Sequence, residues 1–184
     1  YTSAVFGEDL DSPQQVGASA AERTLSRLGP QKPATGQFPV VYHQRVAGSL
    51  VGTLAGAING AAIARGTSFL KDSMGEQITS PGLTFIDDPL RPRGMASRLF
   101  DGEGLAVSRR AMVEDGVLKS WFLDIASATK LGLAPTGQAA RGMGSSPAPG
   151  SSNFYLENGD ISFDELIADI EEGFLVTEMM GSSV

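Results

Sequence analysis

The chain has 184 residues, 41% hydrophobic and 19% charged, which is typical of a globular protein and not of a disordered one. Its net charge of −7 argues against non-specific nucleic-acid binding, because neutralising phosphates requires a basic face. Without cysteine the chain cannot form a disulfide, a thiolate zinc site or a cysteine nucleophile, and a single histidine, His43, cannot build a nitrogen-ligand zinc site. This composition fits a reducing compartment, and we expect a cytoplasmic protein.

The N-terminal residues predict one helix and a linker. Ser12 and Pro13 predict a helix start, because Ser is a preferred N-cap and Pro fits the first helical turn. Apolar residues at helical spacing extend this helix to residue 28, before a Gly-Pro pair. Residues 30–37 predict a linker, and residues 38–42 (FPVVY) predict a strand.

The 19 residues between Arg45 and Arg65 carry no charge, which raises the question of a membrane span. The stretch is about long enough to cross a bilayer. However, only six of the 19 residues are large and apolar, four are glycine and three are polar. Large apolar residues favour insertion by only a few tenths of a kcal/mol each. We therefore expect no membrane span and favour a helix of a soluble protein.

Within this predicted helix, apolar residues and glycines repeat at every fourth position on opposite faces. The apolar stripe is Val46, Leu50, Leu54 and Ile58, and the glycine stripe is Gly48, Gly52, Gly56 and Gly60. Each interior glycine costs roughly 0.8–1 kcal/mol relative to alanine. We therefore expect the glycine face to allow close approach of another backbone, either in the core or beside a cleft or a partner.

The rest of the chain predicts alternating strands, loops and short helices. Its clearest feature is a hairpin, since Asp115-Gly116 separates two apolar runs at 105–113 and 117–124. Loops are predicted at 71–82, 88–104 and 134–152, and strands at 83–87, 153–157 and 174–180. Helices are predicted at 125–131 and after the capping box at Ser162. The second of these helices is expected to bury Leu166, Ile167 and Ile170 and to end at Gly173. This pattern predicts an α+β fold with a mixed or antiparallel sheet and packed helices.

Several polar residues are candidates for chemistry. The pair Asp87-Asp88 follows a predicted strand and can bind a cation or act as acid and base, although capping of the turn is favoured. Asp101 and Glu103 are typical of a turn with exposed carboxylates, and weak calcium binding is the alternative. Residues 142–146 (GMGSS) form a poor anion cradle, since no lysine or helix follows.

The long loop at 134–152 is the best candidate for contact with a substrate. A loop of this length in a compact domain is usually functional or disordered. Arg141 and Gly142 lie in it and can contact a peptide backbone or carboxylate. Elsewhere, His43 is expected to be exposed near a strand end and Trp121 to lie in the core.

Three stretches, residues 46–89, 100–142 and 152–184, resemble the TldD/PmbA (TldE) family. The motifs INGAAIARGTSFL, DDP, DGEG, EDGVLKSW and ELIADIEEGFLVTEMMG occur in the family's order. The resemblance implies a PmbA/TldD-like fold, with residues 1–36 as the tail of the family's middle region and residues 37–184 as an incomplete C-terminal domain. Because the chain starts at Tyr1 and stops after an apolar run, we expect a fragment of a longer protein.

The family's TldD-like members are implied to be zinc peptidases with an HExxxH motif, in which two histidines hold zinc and the glutamate activates its water. Aligned on Gly60 and ARGTSF, the motif falls on Val51, Gly52 and Gly56, none of which can bind a metal or accept a proton. TldD-like members also use a late cysteine as a ligand, and this chain contains no cysteine. The chain therefore resembles the PmbA/TldE branch, which lacks metal ligands.

For this branch the resemblance implies a non-catalytic subunit of a heterodimeric TldD/TldE metallopeptidase, with zinc in the TldD-like partner and none in this chain. The implied substrates are flexible peptides, in peptide-antibiotic maturation and antitoxin degradation. Gly52, Gly56 and Asn59 are then expected to face the cavity. The alternative is a peptide-binding or regulatory protein of the "modulator of DNA gyrase" type without a peptidase role, and in both cases the acidic chain is expected to make no direct DNA contact.

Overall fold

The computed structural model describes residues 2–179, and the chain divides into two compact units, Tyr1–Phe38 and Pro39–Val184. The first unit contains a short 3₁₀ helix, Gly7–Asp9, and helix α1, Pro13–Leu25. The second unit contains the remaining helices and strands. Along the chain these are β1 (Val40–Tyr42), α2 (Gln44–Ala57), α3 (Gly60–Arg65), β2 (Phe85–Asp87), β3 (Arg110–Glu114), β4 (Val117–Leu118), α4 (Ile125–Leu131), β5 (Ala139–Ala140), β6 (Ala148–Pro149), β7 (Phe154–Leu156), α5 (Phe163–Ala168) and β8 (Phe174–Val176).

Helix α1 begins where the sequence predicts. Ser12 and Gln15 form a reciprocal capping box, in which each side chain accepts a hydrogen bond from the other residue's backbone N–H. The helix ends at Leu25 and not at residue 28, because the N–H groups of Arg27 and Leu28 bond three residues back, to Thr24 and Leu25. No residue of α1 is buried.

The largest sheet has the strand order β4-β3-β2-β7, and all its described pairs are antiparallel. Strands β1 and β8 form a separate parallel pair, and β5 and β6 form an antiparallel pair. Together with five α-helices among the described residues, this confirms the predicted α+β class with mixed sheets. The predicted hairpin turn is also confirmed, since Asp115 and Gly116 both have positive φ, 48° and 78°.

One apolar core lies between the large sheet and the helices of the second unit. Its most buried large side chains include Ile58, Met112, Leu118 and Phe122, each at most 1% exposed. Trp121 is 8% exposed, which confirms its predicted place in the core. Helix α4 has the predicted bounds, with Gly132 as its left-handed C-cap.

The region after α4 differs in part from the prediction. The segment 134–152 is not a continuous loop, because β5 and β6 pair within it through the register Ala139–Pro149 and Ala140–Ala148. Helix α5 has the predicted capping box, and the hydrogen bonds from Ser162 lower the pKa of the Glu165 carboxyl. Leu166 does not lie on an inner face, since it is 46% exposed.

The C-terminal elements are shorter than predicted. Helix α5 ends at Ala168, five residues before Gly173, and β8 spans only Phe174–Val176 of the strand predicted for residues 174–180. The last residue of that prediction, Met180, lies outside the described residues.

Candidate functional site

The uncharged stretch forms two helices and not one. Helix α2 ends at Ala57, and Asn59 has an extended backbone and caps α3 by accepting a hydrogen bond from Ala61 N at 3.0 Å. The break is fixed from outside the stretch, because Phe122 N donates to Ile58 O at 3.1 Å and Gly60 N donates to Phe122 O at 2.8 Å. No helix within residues 2–179 has both the length and the apolar character that a bilayer crossing requires.

Three of the four glycines form an open face. Gly48, Gly52 and Gly56 are exposed, and a Cβ added to any of them would meet no atom within 4 Å. Of the two predicted reasons for these glycines, close packing in the core is therefore wrong for these three positions, while a face beside a cleft or a partner stays a prediction. Close packing is correct for Gly60, where an added Cβ would lie 2.7 Å from Leu123 Cδ2 and would also collide with Phe122 O.

The buried side of α2 is rotated from the predicted stripe. Leu50 is 48% exposed, while Val51, Leu54 and Ala55 pack against the core. Of the positions where the resemblance places metal ligands and a base, Val51 therefore serves packing, whereas Gly52 and Gly56 face outward. None of the three has a donor atom in its side chain, so these residues do not fit a zinc ion. Among the described residues, no three His, Cys, Asp or Glu side chains group together as metal ligands.

Asn59 lies at the break between α2 and α3, which we call the joint, and connects it to the pair of strands β5 and β6. Its Nδ2 donates to Pro149 O at 2.9 Å, while its Oδ1 caps α3. Both ends of the amide are therefore used in holding the structure together. Asn59 is half-buried.

Arg141 and Gly142 lie at the exposed tip between β5 and β6. Arg141 Nε donates to Ser145 O at 3.3 Å, and Gly142 N donates to Ser145 Oγ at 3.0 Å. These bonds close a small turn over residues 142–145 and use the Ser145 hydroxyl, which agrees with the poor prospect of an anion cradle at residues 142–146. No hydrogen bond within residues 2–179 links Arg141 to α2, so the structure joins Asn59, but not Arg141, to the glycine-bearing segment.

The two acidic motifs are structural. Asp87 is fully buried and its carboxylate accepts hydrogen bonds from Ser152 N, Ser152 Oγ and Gln138 Nε2 at 2.7, 2.9 and 2.8 Å. Asp88 caps its turn by accepting from Leu90 N at 3.0 Å, as the sequence predicts. These bonds leave the Asp87 carboxylate no open side for a substrate.

Asp101 is not an exposed carboxylate, contrary to the prediction. It is 4% exposed and accepts hydrogen bonds from the N–H groups of Glu103, Leu105 and Ala139 at 2.9, 2.9 and 3.1 Å. The sequence does carry a signal for this, because an Asp before Gly commonly bonds the backbone two residues on. The bond to Ala139, which holds β5, depends on the tertiary structure.

His43 lies directly after β1, as predicted, but it is half-buried and not exposed. It caps α2 by accepting a hydrogen bond at Nδ1 from Arg45 N, 3.2 Å away. Its ring also meets the edge of Phe163, with 5.9 Å between ring centres. These contacts give His43 a structural role at the start of α2.

The geometry defines an α+β domain in which Val51, Gly52 and Gly56 of α2, where the resemblance places a metal-binding motif, carry no side chain that can bind a metal. Residues 35–184 match the family described as "PmbA/TldA metallopeptidase C-terminal domain". The chain therefore belongs to the PmbA/TldD family, as its sequence motifs predict.

Curated relatives and solved structures that are similar to this chain agree with this assignment. The metalloprotease PmbA of Escherichia coli O157:H7 is 40% identical over all of this chain, which covers 39% of that protein. A crystallised candidate modulator of DNA gyrase from Thermotoga maritima has a TM-score of 0.87 and 31% identity, over 97% of this chain and 40% of its own. TldE from Thermococcus kodakarensis has a TM-score of 0.81 and 26% identity, over 95% of this chain and 40% of its own. The chain thus spans about two fifths of these relatives.

Proposed function

We propose that the protein is the non-catalytic, TldE/PmbA-type subunit of a heterodimeric TldD/TldE zinc metallopeptidase that cleaves flexible peptides in the cytoplasm. The observation that carries this proposal is the set Val51, Gly52 and Gly56, which stands at the implied ligand and base positions without a donor side chain. Zinc would then be supplied by the TldD-like partner. The beginning of the family match at residue 35 supports the proposed domain boundary near residues 36 and 37.

In this proposal the open glycine face of α2 forms part of the channel wall. Gly52 and Gly56 present backbone and no side chain, so an extended peptide or the partner can approach closely. Asn59 fixes the end of this wall through its bond to Pro149. Arg141 and Gly142 are proposed to contact the peptide at the exposed tip between β5 and β6.

The test is reconstitution of the full-length protein with a TldD-like subunit from the same organism. We expect peptide cleavage and stoichiometric zinc in the mixture, and neither in this protein alone. Zinc binding or cleavage by this protein alone would overturn the assignment. In the mixture, Arg141→Ala is expected to raise KM for a fluorescent peptide, and an unchanged KM would remove Arg141 from the proposed site.

Substitution of Gly52 separates the proposed role from folding. A Cβ added at this exposed helix position meets no atom within 4 Å, and leucine gains roughly 0.8 kcal/mol of helix propensity over glycine, so the variant Gly52→Leu is expected to be more stable. We expect its kcat/KM in the reconstituted enzyme to fall at least about tenfold, because a bulky side chain now occupies the channel wall. Gly17→Leu on α1 is the matched control, since Gly17 is also an exposed helical glycine with nothing within 4 Å. Equal kcat/KM for the two variants would contradict the proposed channel wall.

A further inference from the structure

The loop between β2 and β3 is built around one side chain. Asn153 Nδ2 donates to Asp88 O at 2.8 Å and to Ser97 Oγ at 2.9 Å, and its Oδ1 accepts from Ala96 N at 3.0 Å. Gly94 is required beside it, since an added Cβ would lie 2.6 Å from the Asn153 amide. The loop is therefore fixed in shape by bonds to a residue more than 50 positions later in the chain.

This fixed loop presents large apolar side chains to solvent. They are Leu90, Met95, Leu99 and Phe100, which are 50%, 68%, 80% and 65% exposed. We call residues 90–100 the loop surface. Arg98 N donates to Pro89 O at 2.8 Å, and this bond closes the loop so that Leu90 and Leu99 flank its base. Apolar side chains gathered on a pre-organised segment are typical of a protein interaction site.

The loop surface also holds Arg98, two of whose guanidinium nitrogens have no hydrogen-bond partner among the described residues. Nε and Nη2 of Arg98 are screened from water and donate to no acceptor among residues 2–179. Two other arginines nearby, Arg91 and Arg109, have partners, whereas Arg110 Nε on β3 also has no partner among the described residues. Arg91 lies 4.7 Å from the ring centre of Tyr155, and Arg109 bonds Glu157 at 2.9 Å and has its pKa raised by a hydrogen bond with Tyr155. A screened guanidinium with unused donors is best compensated by a carboxylate from outside.

We propose that the loop surface docks the TldD-like partner, with apolar side chains of the partner on Leu99 and Phe100 and a partner carboxylate on Arg98. This inference rests on the proposed function and adds the place of contact. Charge supports it, because residues 90–100 contain three arginines and no acidic residue in a chain of net charge −7. A partner segment that combines apolar side chains with an Asp or Glu complements both features.

The experiment measures the dissociation constant between the zinc-loaded TldD-like subunit and variants of the full-length protein. The double variant Leu99→Ser/Phe100→Ser removes the two most exposed adjacent apolar side chains, and Arg98→Gln removes the cation. We expect each to weaken binding by about 30-fold or more, as truncation of an interface hot spot does. Leu25→Ser/Leu28→Ser is the matched control, because these residues are 64% and 72% exposed at the end of α1 and just after it, and its affinity is expected to equal that of the wild type.

The outcomes distinguish the two proposals. If the wild type forms no complex with the TldD-like subunit, both the proposed function and this docking surface are wrong. If the complex forms and the loop variants bind as tightly as the control, only the docking surface is wrong. Sedimentation of the protein alone provides a further check, since a homodimer that the Leu99→Ser/Phe100→Ser variant loses would make a second copy the occupant and overturn the proposal. Each variant is expected to have the same unfolding temperature as the wild type, which would show that the substitutions act on binding and not on the fold.

Discussion

Replacement of Gly60 by alanine is expected to destabilise the C-terminal unit by about 3 kcal/mol, at the upper end of the usual cost of overpacking. The added Cβ would lie 2.7 Å from Leu123 Cδ2 and 2.8 Å from Ser127 Oγ and would collide with Phe122 O. Relief of these contacts requires movement of backbone, because Gly60 N and Phe122 N both bond across this joint. The variant therefore weakens the two bonds that place α3 beside the core.

Urea unfolding followed by the fluorescence of Trp121, the one tryptophan of this chain, measures the effect. Gly52→Ala is the matched control, since it makes the same chemical change a few residues earlier where nothing lies within 4 Å. That control is expected to gain roughly 0.8–1 kcal/mol in free energy of unfolding, so the two substitutions should change this free energy in opposite directions. A Gly60→Ala protein as stable as the wild type would show that the joint does not need a glycine.

Features set by a few adjacent residues could be predicted from the sequence. The turn at Asp115-Gly116 needs positive φ twice, Ser162 and Glu165 form their capping box within one helical turn, and Gly132 ends α4 in the left-handed region. In each case the residues that determine the conformation lie within four positions of one another. The stretches that resemble the TldD/PmbA family likewise carried the family assignment, which the match over residues 35–184 confirms.

Features that depend on distant partners could not be predicted in this way. The helix break before Asn59 is fixed by Phe122 and Pro149, which lie 63 and 90 residues away. The choice between Leu50 and Val51 as the buried side chain is a rotation of about 100° around α2, and periodicity alone does not set it. The resemblance placed Gly52 and Gly56 at the candidate site, but only the structure shows that they are open while Val51 packs.

Replacement of Asp87 by alanine is expected to have the largest effect on stability, about 3–5 kcal/mol, because it leaves several buried donors without an acceptor. Asp87 is fully buried, and Gln138 Nε2, Ser152 N and Ser152 Oγ all donate to it. Gln138 is only 2% exposed, so water cannot readily replace the lost acceptor. The alanine also leaves a void at the end of β2.

Asp88→Ala is the matched control on the neighbouring residue. Asp88 accepts one hydrogen bond from Leu90 N and lies 3.9 Å from Arg109 Nε, whose side chain is 53% exposed. Although the Asp88 side chain is only 15% exposed, the pair is long and its arginine is half-exposed, so this variant should lose about 1 kcal/mol and remain far closer to the wild type than Asp87→Ala in urea unfolding.

The two variants should also differ in which backbone amides exchange hydrogen faster than in the wild type. Asp87 holds Gln138 and Ser152, the two residues that bracket β5 and β6, whereas the Asp88 side chain bonds its own turn and pairs with Arg109. Hydrogen exchange should therefore accelerate at Gly150 N, which bonds Gln138 O at 2.8 Å, in Asp87→Ala and not in Asp88→Ala. Because Arg141 and Gly142 lie between these strands, Asp87→Ala should also raise the peptide KM of the reconstituted enzyme at temperatures where the fold persists. Equal exchange and equal KM in both variants would show that the buried carboxylate does not position the proposed peptide contacts.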